Sequence, residues 1–225
     1  MNCRYEKVIK ELKAAADPRA VAGMARFGID TNNTIGISTP HLRRLARSLG
    51  KDHALAQELW ASGIHEARIL AAYIDEPRLV AGQQMEDWVG EFDSWDVCDQ
   101  VCSNLFDKTS YAYVKAVEWS EREEEFVKRA GFVLMAVLAV HDKAADDKEF
   151  LWFLKIIREK AGDERNFVKK AVNWALRQIG KRNRELNRAA VSVAEDVYRS
   201  GTKVAKWIAT DALRELKSDG VQRRL

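Results

Sequence analysis

The chain has 225 residues, which is long enough for one sizeable hydrophobic core or for an extended array of helices. Hydrophobic residues make up 47% of it and charged residues 32%, a balance typical of a folded domain and not of a disordered chain. The formal net charge is only +3, so the charge of the whole chain points to no particular partner.

The first predicted helix starts among charged residues, in the sequence MNCRYEKVIKEL. Such a start fits neither a signal peptide nor a membrane span, and no later stretch has the uninterrupted apolar length that a span needs. The three cysteines, Cys3, Cys98 and Cys102, have no framework spacing, which favours a reducing compartment over disulfides. We therefore expect a cytoplasmic protein, in bacterial or archaeal cytosol or nucleoid.

The segment GIDTNNTIG, residues 28–36, is rich in glycine and asparagine and predicts a loop. The following GISTPHLRRLARSLG predicts a helix with Thr39 as its N-cap, Pro40 as its first residue and Gly50 as its stop. Elsewhere, apolar residues recur with helical periodicity in blocks of about 12–18 residues, a normal helix length. No part of the chain resembles a run of alternating strands, so the predicted fold class is all-α.

The segment FDSWDVCDQVCSNLF, residues 92–106, predicts a helix with Trp95 and Asp99 on one face, because they are four residues apart. The apolar residues of this helix lie on the other side. The tryptophan therefore lies beside a carboxylate and away from the apolar stripe. The alternative is a tryptophan that covers a groove between helices, with an incidental aspartate neighbour. Cys98 and Cys102 are one turn apart, but without a second pair or a nearby histidine we predict no metal site.

A helix is also predicted for EEEFVKRAGFVLMAVLAV, residues 123–140. Arg129 lies opposite its most apolar side. Two interpretations are open for this side chain. It could form a salt bridge at the surface, or it could hold phosphate, because the guanidinium fork matches phosphate oxygens.

Residues 165–188 hold eight basic side chains and a single acid. On a helix of about 100° per residue, Trp174 lies on the same face as Lys170, Arg177 and Lys181. The apolar stripe of this helix is complete without the tryptophan. Such a local concentration of positive charge is what a polyanion-binding surface requires. The alternative interpretation is that these basic residues only form the solvated end of a helix.

Weak self-similarity relates several of these blocks. KRAGFVLMAVL (128–138) aligns with KKAVNWALRQI (169–179), and NWALRQI aligns in turn with TDALREL (210–216). Paired helices repeating at about 40 residues are typical of a HEAT-like α-solenoid. We therefore predict stacked antiparallel helix pairs in one domain over residues 1–225, with a concave basic face on which Trp95, Asp99, Arg129 and Trp174 could converge.

In combination these segments resemble the AlkD family of DNA alkylation repair glycosylases, which are HEAT-like all-helical proteins. Trp-Asp-x-x-Asp and the later Ala-x-x-Trp-x-Leu-Arg carry this resemblance as a set. The matching elements occur in the family's order over most of the chain. They are MARF (24–27), GISTPHLRRLA (36–46), SWDVCD (94–99), FVKRAGFVLMA (126–136) and FVKKAVNWALRQIGKRN (167–183).

The resemblance implies a role for each matching residue. Asp99 corresponds to the family's catalytic carboxylate, Trp95 and Trp174 to the aromatic pair that brackets the sugar and backbone of the lesion, and Arg129 to the arginine that holds phosphate. Family members excise positively charged alkylpurines such as N3-methyladenine and N7-methylguanine from duplex DNA. They need no metal or organic cofactor, and they do not draw the base into a deep pocket.

An aspartate can serve this reaction because an alkylated purine already carries positive charge and leaves without a strong general acid. The carboxylate would stabilise oxocarbenium character on the deoxyribose and orient a water molecule. The resemblance also implies a DNA contact at Phe27, which stands where the family often has tyrosine and therefore offers no hydroxyl group. We expect a monomer that also contacts DNA through basic side chains: Lys170, Arg177, Lys181, Arg43 and Arg44.

Two other functions are compatible with the same sequence. A non-catalytic HEAT-like module would bind nucleic acid without releasing bases. A protein–protein scaffold, the commonest use of α-solenoids, would have no affinity for nucleic acid and would need a partner protein for the two off-core tryptophans.

Overall fold

A computed structural model describes residues 3–225, and over this range the chain is helical with no strand. The all-α prediction is therefore confirmed. The chain divides into two compact units, Met1–Ser110 (unit 1) and Tyr111–Leu225 (unit 2), which are described separately below. No helix within residues 3–225 is long and apolar enough to cross a membrane. The prediction of one domain over residues 1–225 stays a prediction.

Unit 1 contains seven α-helices among its described residues. In this unit α3, α5 and α7 pack against one another in succession, and α4 packs against α5. Between α4 and α6, Trp60 and Trp88 stack with parallel rings whose centroids are 4.0 Å apart, and both side chains are buried. The helices are α1 (Cys3–Ala14), α2 (Pro18–Ala25), α3 (Thr39–Leu49), α4 (His53–Ala61), α5 (His65–Ile74), α6 (Gly82–Gly90) and α7 (Trp95–Asn104), followed by a 3-10 helix (Phe106–Lys108).

Unit 2 contains α8 (Ala112–Ser120), α9 (Glu125–His141), α10 (Asp147–Lys160), α11 (Asn166–Gly180), α12 (Arg184–Arg199), α13 (Lys203–Leu216) and α14 (Asp219–Gln222). It has two layers of helices. One layer is formed by α9, α11 and α13, packed in succession, and the other by α8, α10 and α12. The three mutually similar segments found in the sequence fall in α9, α11 and α13. The repeat therefore corresponds to successive helices of one layer.

The close packing of unit 2 depends on small residues. A Cβ atom added to Gly131 of α9 would lie 2.5 Å from the backbone nitrogen of Ser120, at the end of α8. A Cβ added to Gly180 of α11 would lie 2.7 Å from the Leu216 side chain of α13 and 2.8 Å from Ala190 of α12. Glycine at these positions lets neighbouring helices approach more closely than any side chain would allow.

The predicted loop over residues 28–36 is present and belongs to a longer non-helical segment that ends at Ser38. The predicted cap of the next helix was wrong by one residue. Ser38 is extended, with φ −67° and ψ 144°, and is the N-cap, whereas Thr39 already belongs to α3. Gly50 ends the helix as predicted, with φ 72°, a left-handed conformation that favours glycine.

Candidate functional site

Helix α7 presents the first pair of candidate residues. The helix begins at Trp95, preceded by the extended and buried Ser94, and runs through Asp99 as the sequence predicted. Trp95 and Asp99 are one turn apart and half-buried, whereas Val97 and Val101 are fully buried. The two candidate side chains therefore share a face that the core of unit 1 leaves accessible.

Beside Trp95 lies a cavity of about 660 Å³ within unit 1. Much of its wall is apolar, including Met24, Ile29 and Ile69 as well as Trp95 itself. Polar side chains also face it, among them His65. A cavity of this size with a few convergent polar groups is typical of a ligand site.

Trp95 also fixes the position of Phe27 near this cavity. The indole Nε1–H of Trp95 donates a hydrogen bond of 3.0 Å to the backbone carbonyl of Phe27. The Phe27 side chain is 70% exposed. A large aromatic ring held in this way on the surface is available to stack on a flat partner, although it offers no hydroxyl group.

A buried ion pair joins the first turns of α5 and α7. The imidazole Nε2 of His65 lies 2.8 Å from Asp96 Oδ2, and the His65 side chain is 4% exposed. The other carboxylate oxygen, Asp96 Oδ1, accepts a hydrogen bond of 2.9 Å from the hydroxyl of Ser94. Both His65 and Asp96 line the cavity. The pair therefore fixes the turn of α7 that carries Trp95.

The pKa values of the two partners shift in the directions expected of an ion pair. Burial lowers the pKa of His65, but the hydrogen bond and charge of Asp96 outweigh it, so the pKa stands above the ordinary 6.5. Burial raises the pKa of Asp96, but the hydrogen bond and charge of His65 outweigh it, and the pKa falls below 3.8. Between these two values the pair is an imidazolium and a carboxylate.

Glu66, the next residue of α5, holds the loop that forms another part of the cavity wall. Its fully buried carboxylate accepts hydrogen bonds from the backbone N–H groups of Ile35 (3.0 Å), Gly36 (2.6 Å) and Ile37 (3.2 Å). The backbone N–H of His65 donates to the carbonyl of Asn33, at 2.9 Å. Residues 65 and 66 thus connect this loop and α7 to the start of α5.

A basic groove opens elsewhere in unit 1, with a volume of about 290 Å³. It is lined by Arg43, Arg47, Lys51, Lys108 and the ring of Tyr73. The guanidinium of Arg43 lies 5.7 Å from the centroid of that ring. Burial lowers the pKa of Lys51, and the charge of Lys108 lowers it further, against the opposing charges of Asp75 and Glu76.

Arg44 extends this basic surface on the same helix. Arg43, Arg44 and Arg47 are all exposed, and all three line a further shallow hollow at the start of α3. The predicted DNA contacts Arg43 and Arg44 are therefore accessible in unit 1. Their contact with DNA itself stays a prediction.

In unit 2, Arg129 lies in the core and not at the surface. It is 5% exposed, and its Nη1 donates a hydrogen bond of 2.7 Å to the backbone carbonyl of Phe167. The expected surface position was therefore wrong, because α8 and α11 cover the helix that carries Arg129. The role of holding phosphate stays a prediction for this side chain.

Trp174 lies on α11 and is half-buried, as is expected for a residue away from the apolar stripe. Lys170, one turn earlier, is exposed. Arg177 and Lys181 are instead engaged with Glu215 of α13, through Nη1–Oε2 at 2.5 Å and Nζ–Oε1 at 2.6 Å. Part of the positive charge predicted for this face is thus compensated inside unit 2.

Sequence reasoning missed His65, Glu66 and Asp96. His65 and Glu66 occur in the stretch GIHEARIL, which carries no motif, whereas Asp96 lies within the Trp-Asp-x-x-Asp motif but was given no role of its own. Their partners are about 30 residues away in the sequence. A histidine and a glutamate at the first positions of a helix were the only local signal. The sequence also gave no reason to single out Trp207, which is 44% exposed and has Lys169 Nζ 5.4 Å from its ring centroid.

The basic groove can bind an anionic polymer, and the exposed ring of Phe27 can stack on a flat aromatic group. Asp99 can stabilise a developing positive charge. Phe27, Trp95 and Asp99 belong to unit 1, and Arg129 and Trp174 to unit 2. The convergence of the two sets on one hollow stays a prediction. Among residues 3–225 no three histidine, cysteine, aspartate or glutamate side chains are grouped as metal ligands would be.

Comparison with known proteins adds a family and a fold. The family model described as "DNA alkylation repair enzyme" matches residues 8–216. No curated protein matches the chain. A solved structure described as "A new family of proteins related to the HEAT-like repeat DNA glycosylases with affinity for branched DNA structures" is similar, with a TM-score of 0.78. It is 20% identical to this chain, and the alignment covers 94% of this chain and 95% of that one. The HEAT-like repeat fold predicted from the sequence is confirmed.

Proposed function

Because this chain belongs to the DNA alkylation repair enzyme family, whose model matches residues 8–216, we propose that it excises cationic alkylpurines such as N3-methyladenine and N7-methylguanine from duplex DNA. The observation that carries this proposal is the half-buried pair on α7, where Trp95 and Asp99 share one face. A cavity lies beside the indole, and Phe27 is anchored to it.

The proposed reaction is hydrolysis of the bond between C1′ of the deoxyribose and the purine nitrogen. The electron pair of this bond leaves with the base and neutralises its positive charge, so no proton has to be delivered to the leaving group. Asp99 stabilises the oxocarbenium character that develops on the sugar and orients the attacking water. The water oxygen forms a bond to C1′, and its proton passes to the carboxylate or to solvent.

The aromatic side chains have a supporting role in this proposal. The face of the Trp95 indole attracts the cationic sugar and base, a contact worth about 0.5–2 kcal/mol. Trp174 is proposed as a second indole acting on the same substrate, and Arg129 as a phosphate ligand. The exposed ring of Phe27 is suited to stacking on an exposed base.

The basic groove of unit 1 supports the binding part of the proposal. Arg43 and Arg47 present guanidinium groups that match phosphate oxygens, and Lys51 and Lys108 add further positive charge. The proposed partner is therefore the phosphate backbone of double-stranded DNA. We also propose that the protein acts as a monomer in the cytoplasm.

A second candidate function is nucleic-acid binding without base release. It is favoured by the similar solved structure, whose description names affinity for branched DNA structures. An assay on methylated duplex DNA that scores both binding and base release distinguishes the two. Release of alkylpurine by the wild-type protein supports the glycosylase. Salt-sensitive binding without release supports the binding module, and no binding at all would leave the scaffold interpretation.

The ion pairs of unit 2 give different expectations for two basic residues of α11. Lys170 is exposed, so replacing it with alanine should flatten the dependence of log Kobs on log salt by about 0.9 if it neutralises one phosphate. Arg177→Ala should change the slope less, because Glu215 already compensates that charge. Binding measured by fluorescence anisotropy over a range of salt concentrations gives both slopes.

The control for this measurement is Arg122→Ala, which removes an exposed arginine that is paired with Glu124. Its salt slope should match that of the wild type. If the salt slope of Lys170→Ala equals that of the wild type, Lys170 does not neutralise a DNA phosphate.

A further inference from the structure

The His65–Asp96 pair is placed where it can control the candidate catalytic turn. Asp96 follows Trp95 directly and precedes Asp99 by three residues, so all three lie in the first turns of α7. The carboxylate is held from two sides, by the imidazole at 2.8 Å and by the Ser94 hydroxyl at 2.9 Å. The His65 side chain therefore attaches the start of α7 to α5.

His65 also lies at the meeting point of the other parts of the cavity wall. Its own backbone N–H is bonded to the carbonyl of Asn33, and its neighbour Glu66 holds Ile35, Gly36 and Ile37. Since Trp95 in turn holds the carbonyl of Phe27, a shift of α7 would move the indole relative to Phe27. A small displacement of this kind is enough to reduce the rate of a positioned reaction.

We propose that His65 is a positioning residue whose imidazolium form, paired with Asp96, holds Trp95 and Asp99 in their working orientation, and whose deprotonation releases the first turn of α7. This inference rests on the proposed function for the part that concerns base release. The part that concerns the orientation of Trp95 stands on the contacts within unit 1 alone.

Charged groups around His65 favour the imidazolium. Asp96 faces it from α7, Glu66 lies beside it on α5, and Asp93 acts from the segment before α7, all in the direction that raises the pKa of His65. His41 of α3 and Asp17, which precedes α2, face the same cavity. The burial of the ring opposes the charge, but the acids outweigh it.

The sign of the pH dependence follows from these directions. Because the pKa of His65 is raised above 6.5 in the folded chain, the stabilisation is fully present below about pH 6.5 and is lost as the pH rises through the raised value. Asp96 sets the acid limit, since its pKa is lowered and the pair is lost only as the pH falls through that lowered value. Trp95 and Asp99 should therefore lose their working orientation as the pH rises through the pKa of His65.

The first test is a proton NMR titration of the full chain without DNA. The ring resonances of His65 and the indole N–H of Trp95, identified by their loss in His65→Gln and Trp95→Phe, should titrate with the same midpoint above 6.5. In Asp96→Asn the His65 ring should titrate at a lower pH than in the wild type, because the carboxylate charge is gone. A Trp95 resonance that does not respond to the titration of His65 would overturn the proposal.

The second test is base release from methylated duplex DNA as a function of pH. Glutamine keeps an N–H donor but carries no charge, so the ratio of wild-type to His65→Gln rates should fall by about tenfold or more from acid to alkaline pH. Taking the ratio removes the pH dependence of the substrate. A ratio independent of pH would contradict the positioning role.

His53→Gln provides a matched control. His53 Nδ1 lies 2.6 Å from Asp75 Oδ1, so it forms the same kind of pair in the same unit, but it does not line the cavity. This variant should keep the wild-type pH profile of base release. If the wild type releases no base at any pH, the proposed function fails, while the shared titration of His65 and Trp95 still decides the positioning role.

Discussion

Replacing Asp99 with asparagine should lower the rate of N7-methylguanine release by about 100-fold or more. The amide has nearly the same shape as the carboxylate, so the fold of α7 and the neighbouring Trp95 should be preserved. What is lost is the negative charge that stabilises the oxocarbenium character of the sugar. Duplex binding should remain nearly intact, because phosphate contacts come from basic residues elsewhere. Single-turnover base release and anisotropy binding on the same methylated duplex measure the two effects.

Asp87→Asn serves as the control for this variant. Asp87 is an exposed aspartate of α6 whose carboxylate accepts a hydrogen bond from Gln83, at 2.8 Å. Its loss should affect neither release nor binding. Equal rates for Asp99→Asn and the wild type would refute the assignment of Asp99. A parallel loss of binding and release would instead indicate that the aspartate supports the fold.

The helices themselves could be predicted because the information for them is local. The helical conformation between Trp95 and Asp99, their shared face, and the stop at Gly50 all follow from residues within one or two helical turns. The repeat was also visible, since α9, α11 and α13 present similar faces to similar neighbours. In each case the nearest residues in the sequence decide the structure.

The contacts between helices could not be predicted in the same way. His65 and Asp96 are 31 residues apart, and Arg177 and Glu215 are 38 apart, so each pair depends on which helices pack together. Arg129 is buried although its helical face carries charge, because α9 is covered by helices on more than one side. Helical periodicity describes one helix and contains no information about its neighbours.

The repeat length comes within one residue of one of these pairs. The separation of 38 residues between Arg177 and Glu215 is close to the 37-residue offset that aligns NWALRQI with TDALREL. Asn173 and Asp211 have the same separation, with Nδ2 and Oδ2 at 3.0 Å. In stacked repeats, equivalent positions of successive helices are neighbours, so a basic residue is best compared with the acid one period away. The 37-residue offset places Arg214 at the position equivalent to Arg177, and the acid that pairs with Arg177 is Glu215, one residue further on.

The buried carboxylate of Glu66 predicts the largest loss of stability. Glu66→Gln should lower the free energy of unfolding by about 3 kcal/mol, because charge-assisted hydrogen bonds are weakened and one of them is lost. Glutamine offers a single acceptor oxygen, and its NH2 group would face a backbone N–H that also donates. The fully buried position leaves no water to compensate. Urea unfolding followed by circular dichroism gives the free energy for the variant and the wild type.

Glu11→Gln is the matched control, since Glu11 is an exposed residue of α1 in the same unit and should change stability by less than about 0.5 kcal/mol. The Glu66 variant should also lower base release at temperatures where it is still folded. Ile35, Gly36 and Ile37 would lose their common acceptor, and the loop that they form lines the cavity beside Trp95. Full activity with full stability would mean that this loop is held by other contacts. Reduced stability with normal release would show that the reaction does not depend on how this loop is held.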